Sequence, residues 1–186
     1  RSVRTINRDF LEKAAKSTNI NLICTVSAGF DNIDTIAAAE CGIDVMNVAG
    51  ANSTSAAEFT IGLILAAAKN LIPANNEMHR GTFDYSKYSN TELSGKTLGI
   101  IGVGRIGSKV AKLAKAFGMN ILGNDINPKL KKKYPFVKFV SLDKILSLSD
   151  ILTLHTPLDD STHYIINKRN ISKLNKGAIL INPSRG

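Results

Sequence analysis

Thr97–Gly107 reads TLGIIGVGRIG, and eighteen residues later Asp125 stands in ILGNDIN. The apolar run Thr97–Ile101 has the composition of a buried strand in a parallel sheet. It stops at three glycines, Gly102, Gly104 and Gly107, and an amphipathic stretch from Ile106 to Phe117 follows. Strand, G-x-G-x-x-G, then helix is the order a dinucleotide pyrophosphate requires. Gly102 permits the tight turn, Gly104 lets the backbone approach the phosphates, and Gly107 lets helix and strand pack closely. The helix start presents free N–H groups and the positive end of its dipole to the anion. Asp125, just past the next apolar run, Asn120–Gly123, is placed to accept hydrogen bonds from the hydroxyls of an adenosine ribose. A carboxylate there repels a 2′-phosphate, so the expected cofactor is NAD rather than NADP.

Working outward, the chain continues to alternate. Strands are expected at 97–101, 120–123, 137–140, 151–154 and 178–181, with helices at about 106–117, 142–148 and 168–174. This is a right-handed βαβ series, a Rossmann-type doubly wound parallel sheet. Upstream, Asn7 caps an amphipathic helix to Lys16, NLICTV and IDVMNV read as short strands, and Asp34–Glu40 as an alanine-rich helix. That opening part has too few strands for a sheet with its own core. Between the two, the run from Ser55 to Leu71 is apolar nearly all round, with Ser55 and Glu58 as a capping box and Pro73 as its stop. A helix without a polar face must be buried on all sides, and a second copy of the chain is the expected cover. The segment 77–92 is polar and aromatic without a clear period and reads as a crossing between domains.

Composition narrows the class. Of 186 residues, 44% are hydrophobic and 21% charged, the profile of a soluble globular chain. The longest apolar run, 61–68, is far short of the ~20 residues that span a bilayer. No basic-then-apolar leader opens the sequence. Cys24 and Cys41 sit in apolar stretches without C-x-x-C spacing and read as reduced, buried thiols, so a cytoplasmic setting is expected. The net charge of +9 raises the question of nucleic acid, but the cations are mostly scattered in sequence. The one dense run, KLKKK at 129–133, has no interleaved aromatics to stack bases, so a nucleic-acid partner is not expected. No metal-ligand spacing, nucleophile elbow or P-loop occurs.

In a doubly wound sheet, ligands lie beyond the carboxyl ends of the strands. Two such ends stand out: His155–Thr156–Pro157 after ILTL, and Asn182–Pro183–Ser184–Arg185–Gly186 after AILI. The Arg185 guanidinium can grip a carboxylate through two parallel hydrogen bonds and polarise a neighbouring carbonyl. Both actions serve hydride transfer to a 2-oxo acid; the alternative is an arginine that only caps the sheet edge. His155 is a candidate proton donor, and equally a buried hydrogen-bonded residue, while His79 and His163 read as surface residues.

Five stretches in this order carry a further signal: SAGFDNID at 27–34, GIDVMNVAGANSTSAAE at 42–58, LSGKTLGIIGVGRIG at 93–107, LHTPLDDSTHYIIN at 154–167 and LINPSRG at 180–186. Together they resemble the D-2-hydroxyacid dehydrogenase family over nearly the whole chain. The resemblance implies an NAD-dependent oxidoreductase of two α/β domains: a partial flavodoxin-like substrate domain over 1–49 and the NAD-binding domain over 50–186. It implies dimers or tetramers built through the helix at 55–71. Carried over residue by residue, Gly102, Gly104, Arg105, Ile106 and Gly107 resemble the pyrophosphate loop and Asp125 the ribose acid. Thr156, Pro157, Thr162, Pro183 and Ser184 resemble positions lining the cofactor. Arg185 matches the family's catalytic arginine, and Ser27, Ala28 and Gly29 the loop that holds the substrate carboxylate. Arg1 matches an arginine that faces the phosphate in phosphoglycerate enzymes. Ser27 stands where many members have glycine. The family's catalytic glutamate and histidine follow the N-x-x-R-G motif, so this stretch alone is expected to bind NAD weakly and not to turn over. The expected substrate is a small 2-hydroxy or 2-oxo acid, with 3-phosphoglycerate favoured; glyoxylate, hydroxypyruvate and lactate are the alternatives. An NAD-sensing corepressor is a third reading. A methyltransferase would share the glycine loop but would need neither Arg185 nor the H-T-P.

Overall fold

Seven apolar runs become strands in the computed structural model, which describes residues 5–26, 29–30, 32–82, 84–88 and 90–184. Arg1, Ser27, Ala28 and Arg185 lie outside the described residues. The chain divides into two compact units, 1–52 and 53–186.

In the first unit, α1 (Arg8–Ser17) is capped by the Asn7 side chain, which accepts from the Phe10 N–H at 3.1 Å. β1 (Leu22–Thr25) and β2 (Asp44–Asn47) form a two-stranded parallel sheet, Leu22 opposite Asp44. Between them, α2 (Thr35–Glu40) is capped by Asp34, which accepts from Ala37 N–H at 2.9 Å. The buried core is small: Leu11, Ala37, Ala38 and Ile43. Leu22, Met46 and Val48 remain exposed, and, against the expectation of two buried thiols, Cys24 is exposed and Cys41 only partly buried, because only two strands are available to hide these side chains.

The second unit is built on a five-stranded, all-parallel sheet ordered β5-β4-β3-β6-β7: β3 (Thr97–Ile101), β4 (Asn120–Asn124), β5 (Lys138–Phe139), β6 (Ile151–Leu154) and β7 (Ile179–Ile181). Strand order reverses between β3 and β6, which pair Leu98 to Ile151, and a reversal of this kind opens a crevice at the strands' carboxyl ends. Side chains alternate to opposite faces. Leu98, Ile100, Ile121, Ile151 and Ile181 pack with α3 (Ser53–Ala68) and α5 (Gly107–Ala116). Ile101, Leu122, Leu152 and Leu154 pack with Ile145 and Leu146 of α7 (Leu142–Leu148). The result is a helix–sheet–helix sandwich, the expected doubly wound fold.

Three expectations on the helices change. α3 starts at Ser53, not Ser55, and only one of its faces is buried (Ala57, Thr60, Ile61, Ile64, Ala68), while Phe59 is exposed. Pro73 does not end it. The helix stops at Ala68, and Asn70 takes a left-handed φ of 52°. A second helix, α4 (Leu71–His79), then leaves at 65°, with Pro73 in its first turn, where proline needs no N–H partner. The expected helix at 168–174 is only a 3-10 turn, Ile171–Lys173. The lysine run forms a single-turn helix, α6 (Leu130–Lys133). No single helix among the described residues is long and apolar enough to cross a membrane.

Candidate functional site

The site is the set of loops leaving the carboxyl ends of β3, β4, β6 and β7. The turn after β3 is fixed by its glycines. Gly102 has φ +88°, which disfavours any side chain, and a Cβ there would press on the His155 carbonyl carbon at 2.8 Å. A Cβ on Gly107 would collide with the Gly102 carbonyl oxygen. Gly104 differs: a Cβ would meet nothing within 4 Å, so the space beside it is open.

The same turn leaves donors unmatched. α5 begins without a side-chain cap. Its first backbone bonds are Ser108 N–H to Gly104 O at 3.1 Å and Val110 N–H to Ile106 O at 3.0 Å. The N–H groups of Gly104, Arg105, Ile106 and Gly107 find no acceptor among the described residues. A helix start of this form accommodates a diphosphate, whose oxygens supply the missing acceptors. The open space at Gly104 leaves room for the anion, so the loop fits the group.

Asp125 follows β4 and is partly buried. One carboxylate oxygen accepts the Val103 N–H and the other the Asn127 N–H, each at 2.8 Å. The first bond ties Asp125 to the glycine turn, and the second holds its rotamer. Each oxygen retains a lone pair, so the carboxylate remains able to accept from ribose hydroxyls. Asn127 in turn accepts the Lys129 N–H at 3.1 Å.

The loop after β6 is saturated instead. The Thr162 hydroxyl donates to Pro157 O at 2.6 Å and accepts from the Asp159 N–H at 2.9 Å. One Asp159 oxygen accepts the Ser161 hydroxyl (2.6 Å), the Ser161 N–H (2.9 Å) and the Thr162 N–H (3.1 Å). These bonds, the Ser161 hydroxyl foremost, hold the Asp159 carboxyl below the usual range. Thr156 is partly buried and Pro157 exposed. After β7, Asn182 accepts the N–H (3.0 Å) and hydroxyl (2.6 Å) of Ser184, folding Pro183 and Ser184 into a tight turn. Gly29 is in the first unit and partly buried.

His155 continues the sheet, its N–H donating to Ile101 O at 2.8 Å. Its ring Nε2 lies 3.1 Å from the hydroxyl of the fully buried Thr153. Burial pushes its pKa down to about 4, so the ring is neutral at physiological pH. Of the two roles left open by the sequence, the geometry supports the buried, hydrogen-bonded one. His163 stacks on Tyr164, with centroids 4.0 Å apart.

Sequence reasoning missed Thr153, Asn127 and Asp159. Each had a signal. Thr153 and His155 are two apart on one strand and so share a face, and the D-x-N and D-x-S spacings at 125–127 and 159–161 are those of Asx turns.

Residues 61–186 match the family model described as D-isomer specific 2-hydroxyacid dehydrogenase, NAD binding domain. The chain belongs to this family. It is 44% identical, over its whole length, to a D-3-phosphoglycerate dehydrogenase of Methanocaldococcus jannaschii, covering 35% of that protein. It is 41% identical, again over its whole length, to a hydroxypyruvate reductase of Thermotoga maritima, covering 59% of it. A solved D-lactate dehydrogenase from Aquifex aeolicus, complexed with NAD and lactic acid, superposes with a TM-score of 0.85 at 37% identity. That match covers 98% of this chain and 54% of the other. The chain thus spans between about a third and three fifths of the length of these relatives.

Proposed function

We propose that the protein is an NAD-dependent oxidoreductase that moves a hydride between NAD and a D-2-hydroxy acid. The favoured substrate pair is D-3-phosphoglycerate and 3-phosphohydroxypyruvate. The observation that carries the cofactor half is the row of four unmatched N–H groups, Gly104–Gly107, beside a carboxylate already oriented by that turn. In this reading Gly102, Gly104, Arg105, Ile106 and Gly107 hold the diphosphate and Asp125 the adenosine ribose. Thr156, Pro157, Thr162, Pro183 and Ser184 line the nicotinamide side. Bound NAD supplies the hydride acceptor. Arg185 binds the substrate carboxylate and polarises its carbonyl, with Ser27, Ala28 and Gly29 as further carboxylate donors and Arg1 toward a phosphate. The hydroxyl proton leaves to a group other than His155, whose ring is held neutral and engaged with Thr153. Residues 1–49 form part of a flavodoxin-like substrate domain. A second copy covers the exposed Phe59, Ile72 and Met78 of α3 and α4.

The similarity to D-3-phosphoglycerate dehydrogenase, 44% over the whole chain, supports the substrate choice. The 41% identity to hydroxypyruvate reductase favours that substrate as the second reading. NADH titration of the protein, followed by fluorescence, tests the cofactor half: saturable binding, tighter than NADPH, is expected. A panel of 3-phosphohydroxypyruvate, hydroxypyruvate, glyoxylate and pyruvate, assayed with the full-length protein, tests the rest. The highest kcat/KM on an acid other than 3-phosphohydroxypyruvate would displace the phosphoglycerate assignment, and no NADH binding would remove the dehydrogenase reading.

A further inference from the structure

In the linear sequence the lysines look scattered, which argues against a nucleic-acid partner. The fold changes the distribution. From Lys109 to Lys138, eight lysines face one acid, Asp125, so 30 of 186 residues carry seven of the nine net positive charges. Asp125, the one charge that offsets them, accepts two backbone N–H groups and is in no ion pair with any of the eight among the described residues. All eight lysines are exposed, and among the described residues none is in an ion pair. Three lysines elsewhere are paired, Lys13 with Asp9, Lys87 with Glu77 and Lys173 with Asp143, and the remaining unpaired ones are dispersed along the chain rather than clustered.

Seven of the eight also share a side of the unit. Lys109, Lys112 and Lys115 follow one another at three-residue spacing on α5 and so lie within one arc of the helix. Val110, Ala111 and Ala114 of α5 pack into the same apolar cluster as Leu130, Tyr134 and Phe136, which bracket the lysines of α6. Tyr134 joins the two rows. Its hydroxyl is made more acidic by the Ser108 side chain and then by the charges of Lys133 and Lys112. The Lys133 ammonium also lies 5.5 Å from the Tyr134 ring centroid. Lys129 extends the surface at the start of α6, whereas Lys138 on edge strand β5 pairs with Leu122 and so stands on the other face of the sheet.

From this we infer that the α5–α6 face binds the phosphate backbone of duplex nucleic acid, without sequence preference. Clustered, unpaired ammonium groups gain from releasing the counterions of a phosphate array. Tyr134 and Phe136 are partly buried and pack in the core, so the face offers no stacking platform of the kind that holds single strands. α5 turns its apolar side into the core, which leaves it no such face to sink into a bilayer.

The test is fluorescence anisotropy of a labelled 20-base-pair DNA of arbitrary sequence against the protein, from 50 to 200 mM salt. Binding that weakens steeply with salt is expected. Lys131→Glu/Lys132→Glu/Lys133→Glu should weaken it at least tenfold and flatten the log–log salt slope by roughly two to three, about one for each phosphate no longer neutralised. The control Lys168→Glu/Lys176→Glu, two exposed lysines outside this face, should stay within twofold. NADH titration of the triple variant should match the unmutated protein, which shows that it folds and keeps this result separate from the dehydrogenase reading. No duplex binding at 50 mM salt, equal binding by the triple variant, an equal loss in the control, or binding to phosphatidylserine vesicles but not to the duplex would each overturn the proposal.

Discussion

The turn after β3 and the loop after β6 leave adjacent strands of one sheet at the same edge, yet they dispose of their polar groups in opposite ways. After β6, Asp159 and Thr162 satisfy one another and the backbone around them. After β3, four successive N–H groups are left without acceptors. Ile106 is partly buried and Gly107 buried, where backbone donors are normally matched, while Gly104 and Arg105 face solvent. A saturated loop is scaffold, and an unsaturated turn is where an outside oxygen belongs. The glycines sharpen the contrast, since Gly102 and Gly107 are required by the protein's own packing and Gly104 is not.

The largest effect separates these two kinds of glycine. Gly107→Val drives a side chain into the Gly102 carbonyl and should cost roughly 3 kcal/mol or more of stability, read from urea unfolding. Gly104→Ala adds a Cβ that meets no chain atom within 4 Å and should leave the urea midpoint nearly unchanged, while NADH affinity falls at least tenfold, about 1.4 kcal/mol. Equal destabilisation by both variants would mean that the whole turn is structural, and the comparison would fail.

Next comes His155, at the start of the saturated loop. Its folded pKa, about 4, lies below the ordinary 6.5, so the unfolded chain binds the extra proton more readily. Its contribution is therefore fully present above about pH 6.5 and is lost as pH falls toward 4, a change of roughly 3 kcal/mol over the window. Urea midpoints of the unmutated protein should fall more steeply between pH 6.5 and 4 than those of His155→Gln, which carries no titrating ring. Parallel curves would show that the ring is not held neutral. Thr153 would then have no part in setting its charge.

How much of this was legible in the sequence follows the same division. Strands β3, β4 and β6 were readable because buried parallel strands are unbroken apolar runs. Gly102, Gly104 and Gly107 were readable as a set, but their separate duties were not, because close approach to the Gly102 carbonyl depends on how α5 returns to the sheet. α4 was missed because Pro73 looks like a stop, whereas a proline in a first turn is equally at home. The start of α3 slipped by two residues because Asn52, just ahead of the first helical residue Ser53, is as good a capping residue type as Ser55. The lysines of α5 and α6 looked scattered because the sequence separates them by the whole of β4, and the fold brings them together.

Asp125 gives a finer test of the unsaturated turn. Asp125→Asn keeps the side chain's shape and one acceptor oxygen, but its amide donates where the second oxygen accepts a backbone N–H. NADH affinity should fall by about tenfold, with NADPH less affected because the charge that repels a 2′-phosphate is gone. A uniform loss for both cofactors would make Asp125 a brace for the turn rather than a reader of the ribose.

The smallest effect belongs to the saturated loop. Thr162→Val keeps the side chain's volume but removes the hydroxyl that donates to Pro157 O and accepts from the Asp159 N–H. The loop is exposed enough for water to replace part of what is removed, so the cost should be about 1 kcal/mol in urea unfolding. NADH affinity should change by less than threefold, because the hydroxyl's proton is already committed to the chain and is not offered to a ligand. A tenfold loss of affinity without loss of stability would mean that the Thr162 hydroxyl itself bonds the cofactor it lines, and the difference between the two loops would lie only in which atoms each one presents.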